Sequence, residues 1–115
     1  MATPLHQVSF TVPTTNTDGS TITGTLTYNV FIDTVNPPVK SFAVPAAEIA
    51  AAVAGVITAT FAQLGFVPVN GTAYFAGVEA IEAEGTVNET SVMSSPIATF
   101  TYAVAPNAPT GFSVA

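Results

Sequence analysis

Residues 7–13 read QVSFTVP, and this stretch decides the fold. Val8, Phe10 and Val12 lie two apart, so they share one face of an extended chain while polar residues occupy the other face. This alternation predicts a half-buried β-strand that ends at Pro13, because proline has no N–H to donate to a sheet. Similar stretches between turn residues predict further strands at 22–32, 39–44, 73–82 and 96–104. Several short strands at this spacing predict an all-β, antiparallel sandwich.

Residues 45–64 leave two alternatives open. Pro45 in the first turn and Glu48 near the positive end of the helix dipole predict a short helix over residues 46–54. Ile49, Val53 and Ile57 recur at helical spacing, which would extend this helix to residue 64 and place the three side chains in the core. The β-branched residues between 56 and 61 favour a strand instead.

The length and composition predict a single domain over residues 1–115, with a body at 7–104 and a C-terminal strand or arm at 105–115. Apolar residues form 49% of the chain, so it can bury a core. Charged residues form only 7%, against about 25% in ordinary soluble domains. A surface with so little charge is poorly protected against association, which favours a protein that packs among copies or against a scaffold.

The charge balance excludes several classes of partner. Lys40 is the only basic residue apart from His6, and seven acidic residues give a net charge of −6. Nucleic acids and anionic membranes are bound through lysine and arginine, so we expect neither partner. The chain has no cysteine, which excludes disulfides and thiolate metal sites, and we predict no cofactor. The first residues show no secretion signal, and we interpret Met1 as the start of a complete small reading frame.

The order of several weak motifs resembles the fibronectin type III family. FTVP at 10–13, DGSTITG at 18–24, YNVF at 28–31 and TAYFAGVEAI at 72–81 carry the resemblance. It implies that Phe10 takes the place of the family's buried tryptophan and that the Tyr74 hydroxyl bonds to nearby backbone. Residues 45–56 are an insertion relative to the family pattern. Residues 106–115, PNAPTGFSVA, are similar to the segment that opens such a domain, so the first strand is displaced to the C-terminus.

The displaced strand is the main candidate for a partner-binding element. It can close its own sheet, or it can add a strand to a neighbour by backbone hydrogen bonding. We favour closure of its own sheet, because residues 105–109 are a short connection for a reach between subunits. Phe112, Val114 and Leu5 are the predicted partner-binding residues.

Other polar residues are weaker candidates. His6 has no recognisable nucleophile to activate, so we interpret it as an exposed histidine near the terminus. Asn70 and Asn88 fit the N-glycosylation pattern but are interpreted as turn residues. Four acidic residues cluster in sequence, and we interpret them as a solvated acidic edge in preference to a calcium site. They are Glu79, Glu82, Glu84 and Glu89.

These observations favour a non-enzymatic structural protein. Solitary domains of the resembled family are frequent in bacteriophage heads and tails, so the resemblance implies a virion protein, with a capsid decoration protein as the first hypothesis. The expected partners are the major capsid protein or copies of the same chain, on the outer surface of a particle built in the host cytoplasm. A tail or baseplate component is the first alternative. A cell-surface or carbohydrate-binding module of a secreted bacterial protein is the second.

Overall fold

A computed structural model describes residues 6–104 and 106–114. Within them the chain forms two antiparallel sheets and two short helices, and the prediction of an all-β, sandwich-like fold with a short helix is confirmed. The strands are β1 Gln7–Thr11, β2 Thr25–Asp33, β3 Ser41–Ala43, β4 Val56–Thr60, β5 Ala73–Glu84, β6 Val87–Thr90 and β7 Ala98–Thr101. The helices are α1 Ala46–Ala50 and α2 Phe61–Leu64.

The smaller sheet consists of β1 and β4. Val8 lies opposite Ala59 and Phe10 opposite Ile57, so the apolar face of each strand points the same way. Ile57 and Ala59 are fully buried, and Val8 and Phe10 are half-buried against the same core. The alternation in residues 7–12 therefore produces the half-buried strand that it predicts.

The larger sheet has the strand order β3-β2-β5-β6, and β7 also pairs with β5. β6 and β7 follow one another along the same edge of β5, and the segment between them stays attached through two serines. Ser91 and Ser94 each donate a backbone N–H to β5 and accept a β5 N–H with the side-chain hydroxyl. Asn88 lies within β6, so its interpretation as a turn residue was wrong; the turn falls at Gly85 instead.

The segment between Pro45 and Leu64 contains a strand flanked by two short helices. α1 ends at Ala50, short of the predicted end at residue 54, and the positive φ angles of Ala54 and Gly55, 52° and 77°, then turn the chain into β4. The mutual hydrogen bonds of Val53 and Val56 across these two residues are those of a tight hairpin, in which positive φ is required. The helical extension to residue 64 was therefore wrong, and Val53 is exposed instead of buried.

The core lies between the two sheets. Tyr28, Val30 and Ile32 from β2 and Tyr74 from β5 are buried in it. The Tyr74 hydroxyl accepts the Val69 N–H at 2.9 Å, a bond to nearby backbone of the kind that the resemblance implies. Phe10 packs on Tyr28 with 5.1 Å between the ring centroids, and both Phe10 and Val78 are half-buried against this core. Both residues lie beside a gap between the sheets.

Candidate functional site

One edge of the smaller sheet is open. The backbone carbonyl of His6 accepts the Phe61 N–H at 2.9 Å, and the Val12 N–H donates to the backbone carbonyl of Gly55 at 2.8 Å. The backbone groups of the even-numbered residues in this segment therefore bond to β4. In an antiparallel pair the backbone groups of the intervening residues point the other way. The N–H and C=O groups of Gln7, Ser9 and Thr11 therefore face away from β4, and in the described part of the chain β1 pairs with β4 alone.

The opposite edge of the same sheet is largely closed. Val56 exchanges hydrogen bonds with Val53 at 2.9 and 3.1 Å, and the Thr60 N–H donates to the Gln63 side chain at 2.8 Å. Only Thr58 keeps outward backbone groups on that edge. The β1 edge is thus the place where the smaller sheet can accept another strand. It carries no charge and no proline to discourage pairing, unlike most exposed edges.

An apolar cleft adjoins this open edge. Its volume is about 520 Å³, and it separates β1 from β5 and β7 of the larger sheet. Val8 and Phe10 line one wall, Ala76 and Val78 line the other, and Phe100 lies at one end. These side chains remain half-buried because the two sheets do not close over them. The cleft is large enough to accept several side chains or a small ligand.

The C-terminal segment is exposed and unpaired. Residues 106–114 contain no strand, so this segment does not close its own sheet, contrary to the arrangement that the sequence favoured. Phe112 is 89% exposed and Val114 is 86% exposed. Burial of a side chain of this size contributes about 1.5–3 kcal/mol, so both are suited to a partner's surface. The third predicted partner-binding residue, Leu5, lies outside the described residues.

His6 belongs to an aromatic cluster and is not simply exposed. Its ring lies 4.5 Å from the ring of Tyr102 and 5.8 Å from that of Phe61, measured between centroids. Because Tyr102 directly follows β7, this contact places the start of β1 beside the end of β7. The two strands therefore run in opposite directions on the two sides of the cleft.

Three of the clustered acidic residues, Glu82, Glu84 and Glu89, line a second cleft beside the edge of β5. Glu82 is only 8% exposed and accepts the N–H groups of Thr23 and Gly24 at 3.2 and 2.9 Å, so its interpretation as part of a solvated edge was wrong. The pKa of Glu82 lies below its ordinary value, mainly because of the hydrogen bond from the Gly24 N–H and, to a smaller extent, a hydrogen bond with the Glu84 side chain. Glu84 in turn accepts the Thr23 hydroxyl at 3.0 Å.

These contacts have a packing reason. A side chain at Gly24 would place its Cβ 2.5 Å from the Ala83 carbonyl oxygen and 2.8 Å from Cγ of both glutamates. The segment before β2 can therefore approach β5 only because residue 24 is glycine.

Within residues 6–104 and 106–114, no three histidine, cysteine or acidic side chains converge as metal ligands. Among those same residues, no helix has the length and apolar character needed to cross a membrane.

The sequence identified the C-terminal segment as a candidate partner-binding element but favoured its pairing within the same domain, and it did not identify the open edge or the cleft. The absence of charge and proline from residues 7–11 is the one signal that could have indicated an edge able to pair. Ala76, Val78 and Phe100 were visible only as ordinary apolar strand residues. No protein-family model matches this chain, and no curated protein or solved structure matches it.

Proposed function

We propose that this chain is a non-enzymatic structural protein of a bacteriophage virion, in which it serves as a capsid decoration protein with a fibronectin type III-like domain. The observation that carries the proposal is an accessible apolar surface on a chain of very low charge. An exposed arm bearing Phe112 and Val114 accompanies an open sheet edge and an apolar cleft. Such features support assembly with other protein surfaces, because they remain unsatisfied in the isolated chain.

The charge distribution supports a position on the outside of the particle. Seven acidic residues against one lysine give the chain a net charge of −6, which disfavours contact with packaged DNA. The described residues of the arm and of β1 carry no charge, so apolar and backbone contacts dominate the proposed interface.

Antibody labelling of purified particles tests the location. An antibody raised against the chain should decorate the heads of particles from the source phage in negative-stain electron microscopy, and particles lacking the chain should stay unlabelled. Labelling confined to tails would favour the tail or baseplate alternative. Particles without label, together with binding on a glycan array, would favour the carbohydrate-binding alternative and refute the virion proposal.

The same particles test the nature of the contact. Only eight side chains carry a formal charge, one basic and seven acidic, so few ion pairs can cross the interface. Raising the salt concentration from about 0.05 M to about 0.5 M should therefore leave the chain bound, because screening weakens contacts between exposed charges and leaves apolar contacts intact. Release of most of the protein into the supernatant over this range would contradict an apolar interface.

A further inference from the structure

We propose that the C-terminal arm of one copy adds a strand to the open edge of β1 in a second copy, with Phe112 and Val114 entering the apolar cleft. The inference rests on the proposed assembly function and names the partner as another molecule of the same chain. The arm that would be donated and the edge that would accept it are both present on this chain. In the described residues the arm is exposed, and β1 pairs on one side only.

The arm matches the edge in length and pattern. Pro106 and Pro109 cannot donate backbone hydrogen bonds, so the pairing segment is Thr110–Val114, which has five residues, as does β1. Within it Phe112 and Val114 share one face, and Ser113 lies on the other. Gly111 has a φ angle of 70° in the isolated chain, and glycine can change to the extended conformation without steric cost.

The acceptor edge matches the arm in chemistry. Gln7, Ser9 and Thr11 offer outward N–H and C=O groups, and Val8 and Phe10 point into the adjoining cleft. A strand added there in the antiparallel sense would place alternate apolar side chains beside those of Val8 and Phe10. Neither the edge nor residues 106–114 carry charge, so no ionic group is desolvated when they pair.

The path of the chain favours a second copy over self-closure. Tyr102 lies beside His6, so the arm leaves the body at the start of β1. Folding straight back along β1 would give a parallel pair, which is the less stable arrangement. To pair antiparallel, the arm would first have to pass the whole of β1, about 17 Å. Residues 103–109 span about 24 Å when fully extended, which leaves only about 7 Å, the length of two residues, for the reversal.

Single cysteines test the inference on the purified full-length chain, which has no cysteine of its own. A Ser113→Cys chain is mixed with a Ser9→Cys chain and oxidised, and the mixed disulfide is measured by non-reducing electrophoresis and mass spectrometry. Ser41→Cys is the matched control, because Ser41 is also exposed and lies on the edge strand of the other sheet. Thr11→Cys serves as a second acceptor if Ser9→Cys does not fold.

We expect the mixed disulfide to form roughly ten-fold faster with Ser9→Cys than with Ser41→Cys, because pairing raises the local thiol concentration. Adding Phe112→Ala and Val114→Ala to the Ser113→Cys chain should remove this excess. Equal rates for the two acceptors would overturn the inference. In a double Ser9→Cys, Ser113→Cys chain, a disulfide within one molecule as the main product would also overturn it.

The cross-linking uses no particles, so its outcome is independent of the virion proposal. A preferential mixed disulfide without particle labelling would support strand donation and refute the virion role. Particle labelling without a preferential mixed disulfide would support the virion role and overturn donation between copies.

Discussion

Replacing Tyr74 with phenylalanine tests the bond that joins the start of β5 to the loop before it. The Tyr74 side chain is 7% exposed, and its hydroxyl accepts the Val69 N–H at 2.9 Å. Tyr74→Phe keeps the ring, and thus its contacts with Phe66 and Phe100 at centroid distances of 5.2 and 5.5 Å. The variant therefore removes the hydrogen bond and little else.

The expected loss of stability depends on what happens to the Val69 N–H once the Tyr74 hydroxyl is gone. A net intramolecular hydrogen bond contributes about 1 kcal/mol, and a fully buried unpaired donor costs about 1–3 kcal/mol. Val69 is 63% exposed and its bond to Tyr74 is only part-buried, so we expect water to replace the lost hydroxyl and the lower figure to apply. We expect Tyr74→Phe to lower the free energy of unfolding by about 1 kcal/mol, or the melting temperature by about 3–6 °C for a chain of this size.

Tyr102→Phe is the matched control, because Tyr102 is half-buried in the same aromatic cluster and no hydrogen bond of its hydroxyl is found within the described residues. Both variants are measured by urea denaturation followed by far-UV circular dichroism. Equal stability of the two variants, or a loss above about 3 kcal/mol for Tyr74→Phe, would refute the assignment of a single, solvent-accessible corner bond.

Three further predictions concern packing and pH. Phe10→Ala should lower the free energy of unfolding by about 2–3 kcal/mol. This is less than the ~3–5 kcal/mol lost with a fully buried phenylalanine, because the cleft leaves Phe10 half-buried. An unchanged denaturation midpoint would refute the assignment of Phe10 to the core. Gly24→Ala should destabilise the chain by about 1–3 kcal/mol, and by more than Gly77→Ala. The added Cβ at residue 24 meets a backbone carbonyl, whereas the added Cβ at residue 77 meets the flexible Met93 side chain. A larger loss of melting temperature in Gly77→Ala would contradict this packing. Because the folded-state pKa of Glu82 is lowered, its contribution to stability is complete above the ordinary pKa of 4.5 and is lost as the pH falls through the folded-state pKa. Between about pH 6 and pH 3, the denaturation midpoint should therefore fall less in Glu82→Gln than in the unsubstituted chain. Parallel curves for the two proteins would exclude Glu82 as a source of acid sensitivity.

Much of the fold could be predicted from local sequence patterns. Alternation in residues 7–12 determines that Val8 and Phe10 face the core, because side chains on a strand alternate between its two faces wherever the strand lies. The Tyr74 bond was predicted only through the family resemblance. Periodicity failed between residues 51 and 64, where apolar spacing suits both a helix and a strand. The positive φ angles of Ala54 and Gly55, fixed by the hairpin they close, decided for the strand.

The candidate site could be predicted only in part. The sequence alone determined that this chain has very little charge and that its C-terminal segment carries Phe112 and Val114 on one face. Only the tertiary structure decided that this segment is unpaired, that Glu82 is buried against Gly24, and that the β1 edge is open while the β4 edge is closed. The physical reason is that every residue except proline carries the same backbone donor and acceptor. Side-chain patterns show which residues face the core, but the long-range pairing of strands decides which backbone groups are left without a partner.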